Sequence, residues 1–159
     1  MKPALSALGA VVVLIFTFGA ASIASRFPAG AWYATLNKPT WSPPNWLFGP
    51  VWSVLYLLMA IAAWLVWRRI DQTGAVLALG LYALQLVLNA AWSWIFFGRH
   101  QLGLALVELL MLLLAILATL IAFWRVEPIS GYLLLPYLLW VAFASFLNLT
   151  LWRLNRGSL

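Results

Sequence analysis

The sequence predicts an all-α fold, an integral membrane bundle of five transmembrane helices formed by a single domain over residues 1–159. Two observations predict this class. The chain is 66% hydrophobic and 8% charged, whereas about a quarter of a soluble domain is charged. Its hydrophobic residues also fall into five long runs with charged residues between them. Nine basic and three acidic side chains cannot cover a soluble surface, so the lipid bilayer is the expected environment.

Each of the five runs is long enough to cross a bilayer as a helix. A run of roughly 22 residues rises about 33 Å as an α-helix, and the hydrocarbon core is about 30 Å thick. Tryptophans gather near the run ends, as in the aromatic belts of membrane proteins. The sequence therefore predicts membrane-spanning helices at about Ala4–Ser25, Trp46–Trp67, Gly74–Phe97, Leu102–Trp124 and Ile129–Trp152.

The first run also has features of a secretory signal. Lys2 precedes it, and the small residues Gly19, Ala20, Ala21 and Ser22 lie near its end. Its apolar segment is longer than a usual signal core, and no soluble domain follows it. We therefore expect the first helix to be retained.

The later runs are separated by short polar turns. Arg68, Arg69 and Asp71 follow the second run, Gly98–Gln101 follows the third, and Arg125–Pro128 follows the fourth. Because short connections join antiparallel neighbours, successive helices after the first loop are expected to pack side by side.

Basic residues fall on both sides of the membrane in nearly equal numbers, so the positive-inside rule does not set the orientation. Five spans place the termini on opposite sides, and the first loop then shares a side with the Gly98–Gln101 turn and the C-terminus. One side carries Lys2, Arg68, Arg69 and Arg125, and the other carries Arg26, Lys38, Arg99, Arg153 and Arg156.

The net charge of +6 favours contact with anionic lipid headgroups. The basic residues form no continuous stripe of the kind that binds nucleic acid, so we expect no nucleic-acid partner.

The chain contains no cysteine and one histidine, His100. Disulfides and thiolate metal sites are therefore excluded, and a lone histidine in a turn cannot build a metal site. We expect no metal and no required cofactor.

The first loop is unusual because it is aromatic and stiff. Its core reads WYATLNKPTWSPPNWLFGPVW from Trp32 to Trp52, with four tryptophans and four prolines. The prolines restrict φ and the residue before each of them. Two interpretations stay open: a plug at the membrane interface, or a lid over a pocket in the bundle.

Polar and aromatic residues inside the runs form stripes with helical spacing. Lipid offers no hydrogen bonds, so an amide at membrane depth needs a partner. These residues either tie helices together or line a ligand cavity of aromatic walls with a few polar groups. The stripes are Trp52 and Tyr56 in the second run, Gln85, Asn89, Trp92 and Phe96 in the third, and Pro136, Tyr137, Trp140, Ala144 and Asn148 in the fifth.

Two further features leave alternatives open. Glu108 lies about 9 Å from the start of the fourth run and is either functional or a structural bond between helices. A homodimer is expected, and the small-xxx-small pair Gly74 and Ala78 marks either its contact or packing within the chain.

The chain resembles the TspO/MBR family, the translocator proteins, over nearly its whole length. The motifs that carry the resemblance stand in the family's order and spacing: the Trp/Pro loop, Gln85-x-x-x-Asn89-x-x-Trp92, and Pro136-Tyr137-Leu138-Leu139-Trp140. The resemblance implies a five-helix fold and a site for porphyrins, sterols and isoquinoline-type ligands under the first loop.

The resemblance also implies which residues form that site. The lid and upper wall would be Tyr33, Trp41, Pro43, Pro44, Phe48 and Trp52, and the helical lining would be Gln85, Asn89, Trp92, Trp140, Ala144 and Asn148. In some bacterial members, tryptophans matching Trp52 and Trp140 are linked to light-dependent breakdown of protoporphyrin. The segment Asn148–Arg153 lacks the tyrosine of the animal cholesterol motif, which favours porphyrin as the ligand.

Three functions follow as hypotheses. The first is a membrane receptor or carrier-like protein that binds tetrapyrroles. The second is a light-dependent porphyrin-degrading activity that uses Trp52 and Trp140, although no acid–base or nucleophile set accompanies them. The third is a transporter of tetrapyrroles or sterols, which the odd number of spans disfavours because equal repeats cannot form.

Overall fold

In a computed structural model, which describes residues 3–157 and the side chains from Ser6 onward, the chain is a helical bundle without strands in that part. Five of its helices are long and apolar enough to cross a membrane, as predicted. Lys2 lies outside the described residues. The helices are α1 Pro3–Ala24, α2 Ala31–Thr35, α3 Asn45–Trp67, α4 Ala75–Ser93, α5 Leu102–Val126 and α6 Pro128–Asn155.

Local chemistry explains where several helices begin. Pro44 is extended just before α3, and Pro128 occupies the first turn of α6, where a missing N–H costs nothing. Gly74 precedes α4 with φ of 90°, a conformation that glycine adopts without strain. The C-terminal end of α4 differs from the prediction, because it continues as a π-helical turn at Trp94–Gly98.

The five long helices form a closed ring. α1 packs against α3 and α4, α3 against α6, α6 against α5, and α5 against α4. Large apolar side chains such as Ile15, Val76 and Leu114 are exposed on the outside of the ring. A bilayer solvates such a surface, whereas water would not.

Small residues allow close approach between particular helices. A Cβ at Gly131 would lie 2.9 Å from the Trp124 Cβ, so α5 and α6 touch tightly at one end. Ala78 is fully buried within the chain, among the core residues of the bundle. Ala78 therefore serves packing within the chain, which was one of the two roles expected for the Gly74 and Ala78 pair. The homodimer stays a prediction.

The first loop lies at the same end of the ring as the C-terminus, as the five-span topology requires. The Trp32 ring stacks on His100 with centroids 4.1 Å apart. At the opposite end, Arg69 Nε donates to Glu127 Oε2 at 3.1 Å. This exposed pair contributes little to stability.

The first loop is ordered by a short helix and by side-chain bonds that hydropathy did not anticipate. The backbone N–H of Asn37 donates to Asn155 Oδ1, and Asn155 Nδ2 donates to the Asn37 carbonyl, both at 3.0 Å. In α2, Tyr33 is 2% exposed, and this burial raises the pKa of its hydroxyl above the ordinary value. The loop is therefore fastened to the end of α6 rather than free.

Candidate functional site

A cavity of about 460 Å³ lies in the half of the ring nearest the first loop. This volume falls within the range of roughly 300–1,000 Å³ typical of small-molecule pockets. Its walls come from the C-terminal end of α1, the N-terminal half of α3, the C-terminal part of α4 and the middle of α6, with the segment after α1 across the top. The lining residues are Ala21, Ala24, Ser25, Phe27, Pro28, Ala29, Asn45, Phe48, Gly49, Trp52, Ser53, Tyr56, Asn89, Trp92, Ser93, Phe97, Trp140 and Ala144.

The α3 and α6 walls are aromatic. Trp52 and Tyr56 lie one turn apart on α3, with ring centroids 5.6 Å apart. Phe48, a turn earlier on α3, meets Trp140 of α6 edge to face at 6.0 Å. A flat, apolar ligand would find ring faces on both of these walls.

A hydrogen-bond network lies beside the cavity and joins three helices. The Tyr56 hydroxyl donates to Asn89 Oδ1 at 2.5 Å, and Asn89 Nδ2 donates to the Tyr137 hydroxyl at 3.1 Å. The Tyr137 hydroxyl in turn donates to Gln85 Oε1 at 2.8 Å. Gln85 and Tyr137 lie behind the cavity wall and tie α4 to α6, whereas Tyr56 and Asn89 both belong to the network and line the cavity.

Trp92 lines the cavity and carries an indole N–H that the described residues leave without an acceptor. Its Nε1 is buried and has no hydrogen-bond partner among the residues that the structure describes. The indole nitrogen can only donate. A ligand with a carbonyl or carboxylate oxygen would supply the missing acceptor.

A smaller void of about 30 Å³ adjoins the main cavity and shares Phe48, Trp92, Phe97 and Ala144 with it. Asn148 lines this void; its Nδ2 donates to the Leu102 carbonyl at 2.8 Å. Its Oδ1 is buried without a partner within residues 3–157. Ala144 thus stands between the two spaces, where a side chain larger than methyl would intrude.

Of the residues expected in the lid and upper wall, Phe48 and Trp52 line the main cavity and the other four lie away from it. Tyr33, together with Phe96, lines the smaller void. Trp41 is 43% exposed and stacks on Phe146 at 5.3 Å, on the outer side of α6. Pro43 and Pro44 lead into α3 and line neither space. Phe27–Ala29, rather than these residues, contribute the loop's surface to the cavity.

The α1 wall of the cavity was not predicted from the sequence. Ala21 and Ala24 of α1, and Ser25 directly after it, line the same cavity as Asn45, Gly49 and Ser53 of α3. The sequence signal for this wall is a spacing of small residues by three or four. The stripes of the other helices carry aromatic and amide side chains as well, and this segment of α1 does not. Small residues mark packing and open space alike, so spacing alone does not identify a wall.

Glu108 lies outside this cavity. It is 7% exposed, and neither carboxylate oxygen has a hydrogen-bond partner among the residues described.

A second cavity, of about 290 Å³, lies at the opposite end of the bundle and is lined by Leu65, Arg68, Arg69 and Glu127. It is built around the exposed ion pair and contains none of the expected site residues.

The sequence of the chain matches one family of known proteins. The model of the TspO/MBR family matches residues 7–153. A translocator protein of Homo sapiens is 48% identical over 140 residues, covering 85% of this chain and 83% of the human protein. Protein CrtK of Rhodobacter capsulatus is 46% identical, covering 82% of each chain. A tryptophan-rich protein TspO of Chlorobaculum tepidum is 43% identical, covering 80% of this chain and 82% of the relative.

Proposed function

The chain belongs to the TspO/MBR family, and from this membership and the aromatic cavity we propose that it is a membrane receptor or carrier-like protein for porphyrins and other hydrophobic ligands. The observation that carries the proposal is the cavity of about 460 Å³ inside the ring. It combines the large ring faces of Trp52 and Trp140 with one unused donor, the Trp92 indole N–H. Family membership alone names no ligand, so the chemistry of the cavity has to supply the ligand class.

A porphyrin suits these groups because it is a flat macrocycle with carboxylates at one edge. Each ring face stacked on an indole contributes about 0.5–1.5 kcal/mol beyond area burial. Arg26 is exposed next to Phe27, at the top of the cavity, where it can meet a carboxylate at the membrane surface. The Lys38 ammonium lies 4.7 Å from the centroid of the Tyr33 ring, and neither residue lines the main cavity. Arg26 directly precedes the lining residue Phe27 and is therefore the better placed of the two cations.

The direct test is a titration of the protein in detergent or nanodiscs with protoporphyrin, followed by quenching of tryptophan fluorescence. Saturable quenching with one site per chain is the expected result. A linear, unsaturable response would contradict the proposal, because it indicates partition into the lipid rather than binding to the cavity.

Trp92→Phe is expected to weaken protoporphyrin binding by roughly 10- to 100-fold. The substitution keeps an aromatic ring but removes the N–H, and a hydrogen bond to a charged acceptor contributes about 1.5–3 kcal/mol. The matched control is Trp94→Phe, since Trp94 is 45% exposed on the outside of the bundle. Equal affinity of Trp92→Phe and Trp94→Phe would show that the Trp92 indole does not anchor the ligand.

Light-dependent porphyrin degradation is a second candidate, favoured by the position of Trp52 and Trp140 on the cavity wall. A photoexcited macrocycle stacked on an indole can exchange an electron with it, with molecular oxygen as the oxidant. Illumination of the loaded protein in air is then expected to bleach the pigment over several equivalents, and to do so much more slowly in the double variant Trp52→Phe, Trp140→Phe. Unchanged pigment spectra in wild-type protein, with or without oxygen, would leave binding only.

Transport and homodimer formation are separate proposals with separate measurements. Labelled protoporphyrin that crosses the membrane of proteoliposomes only when the protein is present would support a carrier.

Light scattering of the detergent-solubilised protein gives the oligomeric state, and the mass of a dimer is the expected result.

A further inference from the structure

One wall of the cavity differs from the others because it is built of small side chains. α1 contributes Ala21 and Ala24, with Ser25 directly after it, and α3 contributes Asn45, Gly49 and Ser53 at intervals of four residues, on one face of the helix. The remaining walls carry tryptophan and phenylalanine.

This wall is also open. Asn45, Gly49 and Ser53 line the cavity and are nevertheless exposed at the surface of the bundle. A Cβ added at Gly49 would meet nothing within 4 Å. Residues that line a cavity and remain exposed mark its mouth, so the gap between α1 and α3 connects the cavity to the outside of the ring.

The mouth lies within the membrane-spanning segments. Ser53 is about 12 Å along α3 from Asn45, and Ala21 lies within the span of α1. Large apolar side chains exposed on the same two helices include Ile23 at 51% and Val54 at 56%. The Ser53 hydroxyl donates to the Gly49 carbonyl at 2.9 Å, which satisfies it without water. The gap therefore opens toward lipid acyl chains.

The loop end of the cavity, in contrast, has a chain segment across it, in which Phe27 and Ala29 are partly buried and Pro28 is exposed. Phe27–Ala29 cover it, and the rest of the loop is fastened through the two hydrogen bonds between Asn37 and Asn155. The buried Tyr33 and the stack of Trp32 on His100 hold the same segment. Entry from the water side would have to displace the Phe27–Ala29 segment, whereas entry between α1 and α3 would not.

We propose that the gap between the C-terminal end of α1, at Ala21 and Ala24, and the Asn45, Gly49 and Ser53 face of α3 is a lateral portal, through which a planar hydrophobic ligand enters the cavity from the bilayer. This inference rests on the proposed binding function. The ligand is a membrane-partitioned amphiphile whose apolar plane passes between the helices while its polar edge stays at the headgroup level.

The first test narrows the portal and measures rates. Protoporphyrin binding to nanodisc-embedded protein is followed by stopped-flow fluorescence. The double variant Gly49→Phe, Ser53→Phe is expected to lower the association rate at least tenfold, since two phenyl rings would block the gap. Val54→Phe, on the lipid-facing side of the same helix, is expected to keep the wild-type rate.

A second variant distinguishes the portal from a loop gate. Asn155→Leu removes both bonds to Asn37 and is expected to leave the association rate unchanged. A faster association in Asn155→Leu, or an unchanged rate in the double phenylalanine variant, would overturn the portal. Failure of wild-type protein to bind protoporphyrin at all would instead overturn the proposed function.

The absence of cysteine from the chain allows a further readout that does not depend on the bulky variants folding. Gly49→Cys is expected to react with a lipid-soluble maleimide, and saturating protoporphyrin should slow this reaction severalfold. Val54→Cys serves as the control, with labelling that the pigment does not change. Equal labelling of Gly49→Cys with and without pigment would contradict the portal.

Discussion

Replacing Ala144 by phenylalanine is expected to weaken protoporphyrin binding by roughly a hundredfold or more, which corresponds to about 3 kcal/mol. Ala144 lines both the main cavity and the adjoining void, next to Trp140 one turn away on α6. A phenyl ring there would occupy space that the ligand needs against the indole. Interiors pack densely, so neighbouring helices would not move aside without a cost of their own.

The matched control for this substitution is Ala142→Phe. Ala142 lies two residues away on α6 and is exposed on the outside of the bundle, where lipid can yield to a larger side chain. The control should bind like wild-type protein and melt at the same temperature. Wild-type affinity in the Ala144→Phe protein would show that the ligand does not occupy this cavity.

Tyr137→Ala is expected to give the largest loss of stability, about 3–5 kcal/mol of the free energy of unfolding. Tyr137 is 1% exposed, and its ring meets Trp52 edge to face at 6.1 Å. Truncation leaves a void in the bundle, because the packed helices around it relax only in part. It also leaves Gln85 Oε1 and Asn89 Nδ2 without the tyrosine hydroxyl, inside a membrane that offers no replacement.

Two further variants separate the ring from the hydroxyl. Tyr137→Phe keeps the packing and should lose about 1–2 kcal/mol, in the range measured for hydrogen bonds between membrane helices. Tyr132→Ala, on the same helix but 55% exposed, should change the stability little, because lipid fills the space that it leaves. Unfolding in mixed micelles, followed by near-UV circular dichroism, measures all three. Equal losses in Tyr137→Ala and Tyr132→Ala would contradict the structural role of the buried ring.

The helices were predictable because their signal is local. Each apolar run is bounded by charged residues, prolines or glycines, so helix ends agree within a few residues. The exceptions arise from longer-range contacts. α6 continues to Asn155, whose side chain bonds back to the first loop, and α4 ends in a π-helical turn where Phe96 and Phe97 pack against Tyr33.

The candidate site was predictable only in part. Six residues of the stripes with helical spacing line one cavity: Trp52, Tyr56, Asn89, Trp92, Trp140 and Ala144. The same spacing placed Gln85 and Tyr137 on that face, but their side chains are turned into the packing between α4 and α6. Periodicity gives the direction of a Cβ, whereas the hydrogen-bond partner decides where the polar atom points.

The class of this protein is predictable from its consecutive residues: five apolar spans in a bilayer, with aromatic and amide stripes and a stiff first loop, in an order that resembles the TspO/MBR family. Length, hydropathy and spacing are local properties, so the amino-acid order displays them. Helix packing, in contrast, sets which stripe residues line the cavity, places Trp32 and Trp41 of the loop outside it, and leaves small residues of α1 and α3 along one wall. Those features depend on which helices become neighbours in the ring, and contacts between distant segments have no local signal along the chain.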